Sequence, residues 1–220
     1  MAPSPNVVRA IGGVEINAIL NINTLEEDIH QFGFHIIDNF LEPSHFQTLR
    51  AMAESFYHDG QFRQAKIGQT QSAVRNNLIR TDEICWLDEP QDNPAAIAFL
   101  TKIKDIANRL NQRFFLGLVE FEMHFAIYQP GTFYRKHVDQ FATTKSRRIS
   151  CVYYLNKNWT KEYSGELILY NGDNHQLARI LPQGNRFVCF TSDLPHEVHE
   201  TKKTRYSLTG WIKSRAYAHP

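Results

Sequence analysis

Helical signals stop at Gly117, and everything downstream reads as short strands. Runs rich in aromatic and β-branched residues, such as Glu122 to Tyr128 and Arg148 to Leu155, are broken by Pro130-Gly131, Ser164-Gly165, Asn171-Gly172-Asp173 and Pro182-Gln183-Gly184. Roughly eight strands in about a hundred residues, behind a helical N-terminal part, predict an α+β chain. Its core would be a double-stranded β-helix, or jelly roll, backed by N-terminal supporting helices. Residues 1–22 read as an N-terminal arm and 23–215 as a single domain, with helical support over about 23–115 and the jelly roll over about 116–213.

In the helical part, Asn23-Thr24 precedes Leu25 to Phe32, with Glu26, Glu27 and Asp28 in the first turn and Gly33 as a stop. Phe34 to Asp38 reads as a short strand, and Pro43-Ser44 opens a helix to about Tyr57. Gly60 to Asn77 is polar and Gln-rich, a long loop or hairpin expected to cover a substrate. Pro94 starts a third helix whose stripe of Ile97, Leu100, Ile103, Ala107, Leu110 and Phe114 is expected to face the core.

Composition narrows the function. At 220 residues and 42% hydrophobic, one sizeable core is readily built. A formal charge of +1 gives no polyanion-binding surface, so no nucleic acid is expected. Cys85, Cys151 and Cys189 are odd in number and widely spaced, which fits neither a disulfide framework nor a zinc module. No apolar run approaches the ~20 residues that span a bilayer, and Met1 to Pro5 lacks the basic-then-apolar pattern of a secretory signal. A cytoplasmic protein is expected.

The chemistry lies in His137-Val138-Asp139, His196 and Arg205. The tripeptide alone is weak, because with 10 His in the chain chance supplies on the order of one. If the segment is extended, His137 and Asp139 have the same parity and leave one face. Two candidates exist for a third ligand, His196 and His199, which face opposite ways on a strand. Pro195 marks a strand start and puts His196 at the entrance to the sheet. Two imidazoles and a carboxylate, with coordination positions to spare, suit a non-haem Fe(II). Arg205, Ser207 and Thr209 share one face of the run Arg205 to Ile212, a polar face fit to line a wet pocket, and Arg205 is suited to anchor a carboxylate. Tyr153 and Tyr154 must face opposite sides, one structural and one lining the cavity. Trp159, Trp211 and the remaining histidines, His124 among them, read as packing or surface residues.

His137-Val138-Asp139, Arg148-Ile149-Ser150-Cys151-Val152-Tyr153-Tyr154-Leu155, Gly165-Glu166-Leu167, Pro195-His196-Glu197-Val198 and Thr204-Arg205-Tyr206 occur in that order. Together they resemble the prolyl hydroxylases that act on hypoxia-inducible factor, and still more their bacterial relatives, whose family includes enzymes acting on elongation factor Tu. The resemblance implies iron held by His137, Asp139 and His196. It implies Arg205 and Tyr154 on the distal carboxylate of 2-oxoglutarate, Tyr128 close to the metal and Ile168 on the pocket wall. It also implies Arg80, Asp82 and Trp86 as substrate-shaping residues, with Arg147 paired to Asp82. The tract Tyr128 to Tyr134 is one residue shorter than in the hypoxia-factor enzymes, and Gln140-Phe141 differ from theirs, so the substrate need not be shared.

The expected activity is therefore Fe(II)- and 2-oxoglutarate-dependent hydroxylation of a prolyl residue in a protein, elongation factor Tu being a candidate. Dioxygen is consumed, succinate and carbon dioxide are released, and ascorbate is the expected reductant. Two rival readings are nucleic-acid demethylation by the same chemistry and a non-catalytic scaffold that senses oxygen or 2-oxoglutarate. Neutral charge opposes the first, and the intact set of polar residues opposes the second.

Overall fold

Helix α1 (Leu25–Phe32) carries Glu26, Glu27 and Asp28 in its first turn, where carboxylates meet the positive end of the helix dipole. It ends at Gly33, whose φ of 77° suits glycine and whose N–H donates to Ile29 O at 3.1 Å. Helix α2 (Pro43–His58) starts on a proline, which forfeits no helical hydrogen bond there. Helix α3 (Pro94–Phe114) is capped by the Asn93 side chain, which accepts from the N–H groups of Ala95 and Ala96. At its far end the Asn111 side chain exchanges two hydrogen bonds with the Leu118 backbone and stitches helix to sheet. These features belong to a computed structural model that describes residues 7–11, 14–17, 25–65, 76, 78–87, 92–141 and 143–215.

Among the described residues the strands form two antiparallel sheets. The larger runs in the order β3 (Phe34–Ile37), β11 (Phe187–Thr191), β8 (Arg147–Tyr154), β13 (Arg205–Ser214), β6 (Leu118–Tyr128), β5 (Glu83–Trp86) and β4 (Arg63–Gln64). The smaller runs β2 (Val14–Asn17), β1 (Val7–Ile11), β10 (Gln176–Ile180), β9 (Leu167–Tyr170), β12 (His196–Val198) and β7 (Tyr134–His137). The jelly roll expected from the strand-rich half is present. Part of the N-terminal arm is strand: β1 pairs with β10 and β2 with β1, which lengthens the smaller sheet. Of the loop from Gly60 to Asn77, residues 63–64 pair with β5, while 66–75 and 77 lie outside the described residues.

Pleating sorts the side chains into two cores. One face of the larger sheet packs on the helices through Phe125, Ile127, Tyr153, Phe187 and Leu208. The other face meets the smaller sheet through Ala126, Tyr128, Val152, Tyr154, Val188 and Phe190, opposite Leu167, Leu169, Ala178 and Val198. Adjacent Tyr153 and Tyr154 thus enter different cores. Phe40 stacks on Phe187 at 4.3 Å between ring centroids and meets Phe99 edge-on at 5.9 Å, which locks α3 to the sheet. Each such fully buried ring contributes roughly 1.5–3 kcal/mol.

The expected stripe of α3 faces the core at Ile103, Ala107 and Leu110, with Leu100 and Phe114 packed against it, and departs at Ile97. Ile97 is 50% exposed, whereas Ala96, Phe99, Ile103, Ile106 and Leu110 are buried. Residues spaced by three or four satisfy more than one stripe on a 3.6-residue helix. The large rings of Phe40 and Tyr153 select the stripe containing Phe99.

Candidate functional site

Between the sheets lies a cavity with polar walls. His137 ends β7 and His196 begins β12, and these strands pair so that the two histidines are direct partners in the register. Their rings lie 4.2 Å apart. Each Nδ1 faces a backbone carbonyl, that of Arg135 at 2.7 Å for His137 and that of Leu194 at 2.9 Å for His196. A carbonyl can only accept, so both Nδ1 atoms carry the proton and both Nε2 atoms present lone pairs. The Nε2 atoms converge on Asp139, at 3.6 Å from His137 and 3.4 Å from His196. Stacked Tyr134, 3.5 Å from the His137 ring, and Phe190, 4.7 Å from the His196 ring, fix the imidazole planes.

Asp139 is held by the turn after β7. Its N–H donates to Ser192 O at 3.0 Å, and its Oδ2 accepts from the Ser150 hydroxyl at 2.7 Å. Burial by itself raises this carboxyl's pKa. The nearby imidazoles of His196 and His137 and the Ser150 hydroxyl outweigh it and keep Asp139 well below the usual carboxylate range. His196 is pushed down to about 4 by burial and by His137, so it is neutral at ordinary pH. One ligand atom from each of His137, Asp139 and His196 lies within 4.8 Å of the others, and among the described residues no further His, Cys, Asp or Glu joins them. Two imidazoles whose Nε2 atoms converge on one ionised carboxylate fit a divalent iron.

Arg205 is 1% exposed at the start of β13. Its Nε donates to Gly165 O at 3.1 Å, and among the described residues no carboxylate pairs with the guanidinium. Its central carbon lies 5.0 Å from the Tyr154 ring and 4.9 Å from the Tyr128 ring. The Tyr154 hydroxyl is buried without a hydrogen-bond partner, and burial raises its pKa despite neighbouring Arg205. A buried cation beside an unsatisfied hydroxyl fits a carboxylate-bearing ligand, because either group alone is costly to bury. Gly165 (φ 74°) makes this possible: a Cβ there would meet Thr201 at 3.0 Å and the Arg205 Cδ at 3.4 Å.

Other expected residues are placed differently. Ile168 was expected on the pocket wall, but it is Leu167 that lines the cavity. Leu167 and Leu169 share the inner face of β9, so Ile168 between them turns the other way. His199 approaches Arg179 and Glu197 rather than the cavity. Arg147 does not pair with Asp82. Arg80 takes Asp82 in a two-bond fork at 2.7 and 2.9 Å, while Arg147 donates to Glu122 at 2.7 and 2.9 Å across the Trp211 ring. Arg80 and Asp82 line the cavity together with Tyr128. Trp86 is 46% exposed beside the His124 ring.

Three residues escaped the sequence reading. Ser150 shares parity with Val152 and Tyr154, a signal that it faces the cavity. Tyr134 gave no signal, since nothing local says which ring will stack on His137. His124, taken for a structural or surface residue, is 1% exposed and lines the cavity with Trp211.

Comparison with known proteins agrees with this geometry. Residues 123–213 match the family model described as the 2OG-Fe(II) oxygenase superfamily. The mouse prolyl hydroxylase EGLN3 is 29% identical over 191 residues, covering 83% of this chain and 79% of that protein. A crystal structure of a Pseudomonas putida prolyl-4-hydroxylase superposes with a TM-score of 0.78 at 31% identity, covering 88% of this chain and 99% of that one. A Trichoplax adhaerens prolyl hydroxylase, in complex with a peptide fragment of the hypoxia-inducible factor oxygen degradation domain, gives 0.77 at 29% identity, with 87% and 88% covered. Among the described residues no helix is long and apolar enough to cross a membrane.

Proposed function

We propose, from the premise that this chain belongs to the 2OG-Fe(II) oxygenase superfamily and is a 2-oxoglutarate-dependent prolyl hydroxylase, that its own residues divide the work as follows. His137, Asp139 and His196 hold the ferrous ion. Arg205 and the Tyr154 hydroxyl bind the distal carboxylate of 2-oxoglutarate, with Tyr128 and Leu167 closing the pocket around it. Arg80 and Asp82 shape the approach of the protein substrate, and Trp86 and Arg147 border it. When bound, iron and 2-oxoglutarate would supply the electrons that activate dioxygen, one oxygen atom ending in the hydroxyl on the substrate carbon and the other in succinate as 2-oxoglutarate loses carbon dioxide.

The protein's share is orientation and exclusion of water. The Nδ1–carbonyl bonds set the tautomer of both histidines before any metal arrives, and Ser150 fixes which Asp139 oxygen faces inward. Burial of Arg205 in a pocket of aromatic rings strengthens its hold on a single carboxylate.

The substrate we propose is a prolyl residue in a protein, with elongation factor Tu as the first candidate. The similarity to prolyl hydroxylases from Pseudomonas and Trichoplax supports the residue class. Ascorbate serves as reductant in the assay. A cytoplasmic setting suits three buried cysteines that form no disulfide among the described residues.

The observation that carries this reading is the convergence of His137, Asp139 and His196 beside a buried Arg205 that has no carboxylate partner among the described residues. Its test is 2-oxoglutarate decarboxylation with Fe(II) and ascorbate, followed by mass spectrometry of elongation factor Tu. One added oxygen on a proline supports the assignment. Absence of any succinate identifies a non-catalytic scaffold instead.

A further inference from the structure

Among the described residues, His124 is the one cavity-lining imidazole outside the candidate metal centre. It lies on β6 opposite Thr209 of β13, while Tyr128, on the same face of β6, lies opposite Arg205. Four residues of strand separate His124 from Tyr128, roughly 13 Å at the usual rise. The two positions therefore mark opposite ends of the cavity. The Arg205 end is sealed and suited to a carboxylate. The His124 end adjoins Trp211, whose register partner Ser150 bonds Asp139, so it flanks the metal ligands on the side away from Arg205.

The ring is fixed. Trp86 lies 4.8 Å and Trp211 5.4 Å from it, and Arg147 covers Trp211 at 3.5 Å while bound to Glu122. Its exposure is 1%, yet among the described residues neither ring nitrogen has a hydrogen-bond partner. A neutral imidazole carries one donor and one acceptor. Leaving both unmet at such low exposure is unfavourable, and an incoming polar group relieves that cost.

We propose that His124 is a specificity-determining residue of the hydroxylation reaction, its ring N–H donating to the backbone carbonyl of the target prolyl residue. A prolyl peptide unit has no N–H of its own, so the carbonyl is the group it can offer to a donor. This rests on the prolyl hydroxylase reading above and adds the group that receives the substrate. Its position also explains why a buried histidine, rather than an apolar residue, stands against two indoles.

The test uses full-length enzyme, Fe(II), 2-oxoglutarate and intact elongation factor Tu, with hydroxylation read by mass spectrometry. His124→Leu should raise KM for the protein substrate about fivefold, the effect of one net hydrogen bond, with the KM for 2-oxoglutarate unmoved. His124→Asn, which keeps a donor, should recover much of the loss, and it carries the test if the leucine variant does not fold. Equal protein-substrate KM in wild type and both variants overturns the role of His124 and leaves the prolyl reading standing. Absence of hydroxylation by the wild type overturns both.

Discussion

His196 on β12 lies directly opposite His137 on β7, and that single register match brings two residues 59 positions apart within reach of one ion. A slip of one residue would turn one imidazole to the outer face of the sheet. The centre is therefore set by strand pairing, and several outcomes follow from how it is held.

Replacing either His137 or Asp139 by Ala should abolish succinate formation while leaving the fold intact, because one ends β7 and the other lies in the turn after it, outside both apolar cores. Calorimetric titration with Mn(II) as a redox-silent probe should show the loss of binding directly. Full succinate production by either variant would remove the metal assignment.

Ser150→Ala deletes the 2.7 Å hydrogen bond to Asp139 and nothing that touches the metal. Loss of such a supporting bond typically weakens metal affinity about 10–100-fold. The expected result is a raised Mn(II) dissociation constant with an unchanged circular dichroism spectrum. Unaltered affinity would mean that Ser192 and the turn backbone suffice to position the carboxylate.

Gly165→Ala puts a methyl group 3.0 Å from Thr201 and 3.4 Å from the Arg205 Cδ, in backbone that disfavours a side chain. Overpacking of this kind costs about 1–3 kcal/mol. The KM for 2-oxoglutarate should rise about tenfold as the guanidinium is displaced. Tyr154→Phe should act on the same constant by several-fold, the worth of one hydrogen bond at about 1 kcal/mol. Unchanged 2-oxoglutarate kinetics in both variants would move the co-substrate elsewhere.

Burial, reinforced by Arg80 and Arg147, pushes His124 from 6.5 down to about 3. In the unfolded chain the ring protonates near pH 6.5, so between there and about pH 3 the unfolded state binds more protons. The stability gained by keeping this ring neutral is thus complete above pH 6.5 and declines as pH falls through that window. Urea midpoints measured across the window should fall less steeply for His124→Leu than for wild type. His196, pushed down to about 4, leaves a residual slope in the variant. Identical slopes would show that His124 is solvated in solution.

What the sequence determined by itself was whatever a local period encodes. The end of helical signals at Gly117, the proline before His196, the polar alternation from Arg205 to Thr209 and the opposite facings of Tyr153 and Tyr154 each follow from neighbours a few positions apart. Those signals implied the jelly roll, while the choice of His196 over His199 and the roles of Tyr154, Tyr128, Arg80 and Asp82 came from the family resemblance. Tertiary structure alone decided which strand lies across from which and at what offset. That is why Leu167 rather than Ile168 faces inward, why Arg80 claims Asp82 and leaves Arg147 to Glu122, and why α3 buries Phe99 in place of Ile97. It also turned His124 from one unremarkable histidine among ten into a buried, unpartnered wall of the site. Side-chain parity holds only along an unbroken strand, and distances between strands remote in sequence depend on a register that no local pattern contains.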